Sequence, residues 1–97
     1  MLALAECAVD LETGAIVGGH GGSLTDRERV LLAYLAARPS EVVSRAALLT
    51  EVWGYASEVQ TRAIDNTVAR LRTKIEQDPS RPVYLRTVWG VGYKFEG

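Results

Sequence analysis

Asn66 and Arg70 have the residue types and the spacing to read bases in the major groove of duplex DNA. They are four residues apart, so on a helix they lie side by side on one face. Arg makes bidentate contacts to guanine and Asn makes them to adenine, while the small Ala69 beside them allows close approach to a thymine methyl. This face could therefore recognise nucleic acid.

A helix over residues 61–77, capped by Thr61, must position that face. Its apolar residues fall in one narrow sector, the core stripe, namely Ile64, Val68, Leu71 and Ile75. The opposite sector is predicted to be exposed and holds Arg62, Asn66, Ala69, Arg70, Thr73 and Gln77. Any amphipathic surface helix has a polar outer face, however, so this helix alone leaves both interpretations open.

Charge is distributed unevenly along the chain. The net charge is −1, which by itself argues against a nucleic-acid binder. Residues 1–61 carry four basic and eight acidic side chains, whereas residues 62–95 carry seven basic and three acidic ones. The asymmetry favours a polyanion-binding side in the second half, with an evenly solvated surface as the alternative.

Composition excludes several classes of protein. Ninety-seven residues suit one domain, and a single Cys with a single His excludes an internal disulfide and a Cys/His zinc site. No apolar run approaches the ~20 residues of a membrane span, and Glu6 interrupts any signal-like start. We therefore expect a cytoplasmic domain without cofactor, metal or membrane partner. An enzyme is not expected, because His20 is the only His and no Ser-His triad can form.

The remaining elements follow from turn and capping signals. Short apolar runs separated by turn residues and by the glycines of residues 18–22 predict an antiparallel sheet over residues 2–24. A capping box at Thr25 and Glu28 opens the helical core, residues 25–78, and Ser44 caps its second helix. Two β-rich runs over residues 83–96 predict a C-terminal hairpin. This order is typical of a winged helix-turn-helix.

Four motifs together resemble the C-terminal DNA-binding domain of OmpR/PhoB-family response regulators. They are LTDRE at 24–28 with LL at 31–32; VVSR at 42–45 with LL at 48–49 and VWG at 52–54; RAID at 62–65 with LRTKI at 71–75; and LRTVWGVGY at 85–93. The resemblance covers nearly the whole chain and implies an α+β winged helix-turn-helix domain over residues 1–97. Its expected parts are a four-stranded N-terminal antiparallel sheet, three helices and a C-terminal β-hairpin wing.

The resemblance also implies a function. Members bind double-stranded DNA as sequence-specific transcription factors, in tandem on direct repeats, under the control of a receiver domain that a histidine kinase phosphorylates. A receiver does not fit within 97 residues, so we expect it to be absent from this chain. The isolated domain is expected to be monomeric. The alternative is a winged-helix module that contacts only proteins, which the net charge favours slightly.

Site residues follow from the matched positions. The positions that read bases match Asn66, Thr67 and Arg70. The positions expected to contact phosphates are Trp53, Arg62, Arg72, Lys74, Arg86, Thr87 and Tyr93. Core packing is the alternative for Trp53. Asp65 is not expected to contact DNA; we expect it to pair with an Arg or to place a favourable negative charge near the helix N-terminus.

Two further segments have roles implied by the family. The loop over residues 55–60, with Tyr55, Ser57 and Glu58, matches the segment that contacts RNA polymerase in activators; a plain connector is the alternative. At the wing tip some members place an Arg in the minor groove, but this chain has Trp89 there. We expect the indole to pack within the wing or against a protein neighbour.

Overall fold

The computed structural model describes residues 1–56 and 59–96. Within them the chain forms six strands and three helices. In order these are β1 Leu2–Ala3, β2 Cys7–Val9, β3 Ile16–Gly18, α1 Asp26–Ala36, β4 Val43–Ser44, α2 Arg45–Glu51, α3 Ala63–Ile75, β5 Leu85–Val88 and β6 Gly92–Phe95. The α+β class and the three helices agree with the prediction.

The N-terminal sheet has three strands in the order β1-β2-β3, all antiparallel. The prediction of a four-stranded sheet was wrong. After β3 the chain turns through Gly18, Gly19, Gly21 and Gly22, all with positive φ. When it returns, only Ser23 bridges back, to Ala15. Left-handed glycines break the extended conformation that a fourth strand would need.

The second sheet also has three strands, in the order β4-β6-β5. β5 and β6 form the predicted hairpin, with Thr87 opposite Tyr93. The short β4 adds to the other edge of β6, pairing Val43 with Tyr93 and Ser44 with Gly92. The wing is therefore continuous with the segment that leads into α2.

Two of the three helices, α1 and α2, begin where their capping residues predicted. Thr25 N–H donates to Glu28 Oε1 at 3.0 Å, and Glu28 N–H donates back to Thr25 Oγ1 at 3.3 Å. The Ser44 hydroxyl accepts from the N–H of Ala47 at 3.1 Å. α3 is shorter than the predicted 61–77, and its N-cap is Arg62, so the prediction that Thr61 caps it was wrong; Thr61 lies one residue before that cap, and its Oγ1 accepts from Ala63 N–H at 3.1 Å.

One hydrophobic core lies between the helices and the two sheets. The fully buried aliphatic side chains are Val9, Leu31, Leu32, Leu35, Leu48, Ile64, Val68, Leu71 and Leu85. The core stripe predicted on α3 is buried as a unit, since Ile75 is also only 2% exposed. Burial of this stripe fixes which side of α3 faces solvent.

Candidate nucleic-acid interface

The outer face of α3 presents the side chains that the helical periodicity placed there. Asn66, Ala69, Arg70 and Thr73 are exposed, as is Arg62 at the N-cap. The Thr73 hydroxyl donates to the Arg70 carbonyl at 2.6 Å, within the helix. Asn66 and Arg70 are thus adjacent, solvent-facing and carried on a helix whose other side is fixed in the core.

Thr67 does not belong to this face. It is 5% exposed, so the base-reading role predicted for it has no exposed side chain to support it and stays a prediction. The physical reason is helical spacing, because Thr67 follows Ile64 by three residues and precedes Leu71 by four, which places it with the core stripe. The helical periodicity indicated that Thr67 is buried, whereas the family match at this position implied contact with bases.

Arg72 and Thr87 link α3 to the wing. Arg72 Nε and Nη2 donate to the Leu85 carbonyl at 3.0 and 2.8 Å, and Nη2 also donates to Thr87 Oγ1 at 2.9 Å. Both residues were predicted to contact phosphates. In the structure the Arg72 guanidinium is directed at β5, because the edge of that strand offers two oxygen acceptors within its reach.

Lys74 is the counter-ion of a buried acid. Its Nζ lies 2.6 Å from Glu28 Oε1, and the Glu28 side chain is 2% exposed. Burial opposes ionisation of Glu28, but the hydrogen bonds from Lys74 and Thr25 outweigh it and hold the pKa of this carboxyl below its ordinary value. An unpaired buried carboxylate is costly, so Glu28 holds Lys74 in the free domain, and the phosphate contact expected of Lys74 stays a prediction.

Asp65 joins three elements through one carboxylate. Arg45 donates to it through both terminal nitrogens, the Nη2–Oδ2 distance being 2.8 Å, and the Tyr93 hydroxyl donates to Oδ1 at 2.6 Å. The pairing expected between Asp65 and an Arg is confirmed. Tyr93 was predicted to contact a phosphate; it is 6% exposed and its hydroxyl is directed at Asp65 instead.

The Arg45 guanidinium lowers the pKa of Asp65 to about 2, against the cost of burial, with the Tyr93 hydroxyl adding to the shift. A depressed carboxyl pKa stabilises the fold above the unfolded pKa, and that contribution is lost as the pH falls through about 2. Because the Arg45 side chain is 41% exposed, screening reduces the effect.

We expect Asp65→Asn to lower the free energy of unfolding by about 1–2 kcal/mol at pH 6, and by much less near pH 2. Urea unfolding of both proteins across this pH range measures the difference. A difference that stays constant down to pH 2 would mean that the charge on Asp65 contributes nothing to stability.

A buried acid that sequence reasoning missed shapes the loop between α3 and β5. Glu76 is 1% exposed, and its carboxylate accepts from the N–H groups of Val83, Tyr84 and Leu85 at 2.8 to 3.3 Å. No motif marks this role, because all three partners are backbone groups that only the folded loop brings together. Glu76 thereby fixes where β5 begins.

Trp53 is half-buried and packs against the core. The Arg27 guanidinium lies 5.2 Å from the centroid of its ring, and Arg27 Nη1 donates to the Val52 carbonyl at 3.0 Å. These contacts are those of core packing, the alternative role given for Trp53.

The wing carries an exposed arginine and an exposed tryptophan. Arg86 is exposed on β5, and Trp89 at the hairpin tip is 89% exposed. Of the two placements expected for the Trp89 indole, packing within the wing was wrong, because the neighbouring Gly90 and Gly92 offer it no side chain to cover it, and packing against a protein neighbour stays a prediction. A shallow groove beside the tip is lined by Arg72, Arg81, Arg86 and Trp89, among others.

The remaining predicted residues lie in the loop before α3. Tyr55 is 46% exposed. Ser57 and Glu58 lie outside the described residues.

Across residues 1–56 and 59–96, none of the helices has the length and apolar character needed to cross a membrane.

Comparison with known proteins supports the resemblance. The family model described as "Transcriptional regulatory protein, C terminal" matches residues 19–95. The DNA-binding response regulator MtrA of Mycobacterium tuberculosis (strain ATCC 25618 / H37Rv) is 42% identical over 95 residues, which are 97% of this chain and 42% of that protein. The chain thus spans less than half the length of this relative.

Two solved structures share the fold. The Thermotoga maritima OmpR/PhoB homologue DrrB aligns with 99% of this chain and 44% of its own, with a TM-score of 0.82 and 34% identity. The Klebsiella pneumoniae RstA DNA-binding domain, solved in complex with the RstA box, aligns over 98% and 95% with a TM-score of 0.80 and 25% identity. With its three helices, antiparallel wing and matched family model, the chain belongs to the OmpR/PhoB-type family of C-terminal transcriptional regulatory domains.

Proposed function

We propose that this chain binds double-stranded DNA sequence-specifically as the effector domain of a phosphorylation-controlled bacterial transcription regulator. The observation that carries the proposal is the exposed pair Asn66 and Arg70, held side by side on α3 by a fully buried opposite face. An Arg and an Asn at adjacent helical positions supply the bidentate donors and acceptors that major-groove edges present. Family membership and the DNA complex of the RstA domain support the same function.

We assign each part of the proposed interaction to residues according to their exposure and their hydrogen bonds. Asn66 and Arg70 read bases, and Arg62 and Arg86 contact phosphates, since these four side chains are exposed. Arg72, Lys74, Thr87 and Tyr93 act indirectly, because their polar groups bond to other parts of the fold. Thr67 has no place in the contact surface.

The full regulator extends beyond this interaction. The domain is a monomer in isolation and binds two direct repeats about 10–11 bp apart, one helical turn of DNA. A receiver domain and a histidine kinase control it in the cytoplasm, and the loop around Tyr55 contacts RNA polymerase. These partners rest on the family resemblance.

Arg70→Ala and Arg86→Ala should separate base reading from phosphate contact. We expect Arg70→Ala to cost about 1–3 kcal/mol on the preferred site and to relax selection at one base pair, with little change on random duplex. Arg86→Ala should weaken both duplexes alike and make the salt slope shallower by about one. Fluorescence anisotropy on a site selected from a random duplex pool measures both, and equal losses on both duplexes for Arg70→Ala would contradict its base-reading role.

The salt dependence of binding tests the proposal as a whole. With Arg72 and Lys74 bonded internally, about two to four phosphates remain to be neutralised, so the log–log slope should lie between about −2 and −4. A domain that contacts only proteins would show no binding to random duplex at any salt concentration. That result would replace the DNA-binding proposal with the protein-interaction alternative.

A further inference from the structure

Asp65 lies where the two proposed DNA-contacting elements, α3 and the wing, come together. It occupies the first turn of α3, its Tyr93 partner lies on β6, and its Arg45 partner is the first residue of α2. A guanidinium binding both carboxylate oxygens fixes direction as well as distance, because the two hydrogen bonds are parallel. The Tyr93 hydroxyl adds a third donor from the wing. One side chain therefore sets the position of three elements relative to one another.

A second link holds the wing two helical turns further along α3. Arg72 follows Asp65 by seven residues and bonds to Leu85 and Thr87 on β5. Seven residues of α-helix span about 10 Å. Two links separated along one axis fix an angle, whereas a single link leaves a pivot. The Arg72 guanidinium also lies 5.8 Å from the centroid of the Tyr93 ring, which brings the two links into contact.

We infer that Asp65 is a positioning residue that fixes the angle between α3 and the wing, and with it the register between the bases that α3 reads and the flanking DNA that the wing contacts. The inference depends on the proposed function only in what it says about DNA binding. The geometric part concerns the free domain. Because the Arg45 and Asp65 side chains are 41% and 25% exposed, the ion pair adds modestly to stability, so its main effect is on orientation.

Residual dipolar couplings of the free domain test the geometric part. We expect the backbone N–H vectors of β5 and β6 in Asp65→Asn to change orientation, or to average, relative to those of α3, while the vectors of α1 keep theirs. Tyr93→Phe, which removes only the hydroxyl, should shift them in the same way by less. Glu41→Gln is the charge-matched control, since Glu41 is exposed and lies in the loop between α1 and β4. Unchanged α3-to-wing couplings in Asp65→Asn would overturn the inference.

Binding to two duplexes tests the consequence. One duplex covers the selected site with both flanks, and the other ends at the base pairs that α3 reads. We expect Asp65→Asn to lose about fivefold or more in affinity for the long duplex, and to keep its affinity for the short one. Removing a negative charge alone would tighten binding to both duplexes, an effect that Glu41→Gln measures.

The outcomes separate the two proposals. Equal losses on both duplexes would mean that Asp65 only supports α3, which would overturn the inference while leaving DNA binding intact. If the wild-type domain binds neither duplex, the proposed function fails, and the dipolar couplings still decide whether Asp65 fixes the angle.

Discussion

Glu76→Ala is expected to lower the free energy of unfolding by about 3–5 kcal/mol, a large share of the total stability of a domain of this size. The buried carboxylate accepts from three backbone N–H groups, those of Val83 and Tyr84 just before β5 and that of Leu85, its first residue. Alanine leaves those donors without an acceptor in a place that water reaches poorly, and each unmet donor costs about 1–3 kcal/mol. Chemical unfolding followed by circular dichroism measures the loss.

Two variants separate hydrogen bonding from bulk. Glu76→Gln keeps the shape but replaces one acceptor oxygen with a donor, so we expect it to lose more than half of what alanine loses. Gln77→Ala changes the adjacent exposed residue and should leave stability within about 0.5 kcal/mol. If Glu76→Gln were as stable as the wild type, the backbone bonds would not be what makes Glu76 important.

Gly92→Ala should cost at least about 3 kcal/mol, by separating β4 from the wing. A Cβ at Gly92 would lie 2.0 Å from the Val43 carbonyl oxygen and 3.0 Å from Ser44 Cα. Both obstacles belong to backbone, so no rotamer change relieves the contact. Amide hydrogen exchange should then show loss of protection on the β4 side of β6, with the β5 side less affected.

Gly90→Ala is the matched control at the same hairpin. Gly90 has a φ of +79°, and among the described residues no atom outside its chain neighbours lies within 4 Å of where a Cβ would stand. Alanine there therefore meets backbone strain without a clash, and that strain costs about 1–2 kcal/mol. If Gly90→Ala destabilised the domain as much as Gly92→Ala, the close approach of β4 would not be the reason for glycine at position 92.

The parts of the fold that sequence predicted are those set by neighbours along the chain. Thr25 and Ser44 mark the starts of their helices because a cap bonds only two or three residues ahead. The outer and inner faces of α3 follow from a fixed rotation per residue. Thr67 follows the same rule, since helical spacing places it with the core stripe, whereas the base-reading role expected for it came from the family match.

The parts that sequence did not predict depend on partners far along the chain. In the sequence Arg72 has the features of a surface cation. Its acceptors on β5 lie 13 and 15 residues further along the chain, so the sequence near Arg72 does not indicate them. Glu28 has the pattern of a capping residue, and its pairing with Lys74 spans 46 residues. The fourth strand was expected from the family resemblance, and the sequence pattern does not reveal how four left-handed glycines redirect the chain between Gly18 and Gly22.

The two sides of α3 have different roles. One side holds the helix to the rest of the fold, and the other is the side proposed to contact DNA. Asp65 and Arg72 face inward and bond to the wing, whereas Asn66, Ala69 and Arg70 have side chains directed to solvent. Exposed positions of this kind tolerate substitution at a cost within about 0.5 kcal/mol. A lineage could therefore exchange the residues proposed to select a DNA sequence without passing through unstable intermediates. Duplicated copies of such a domain can diverge to new operators while the hold of the wing on the helix stays the same.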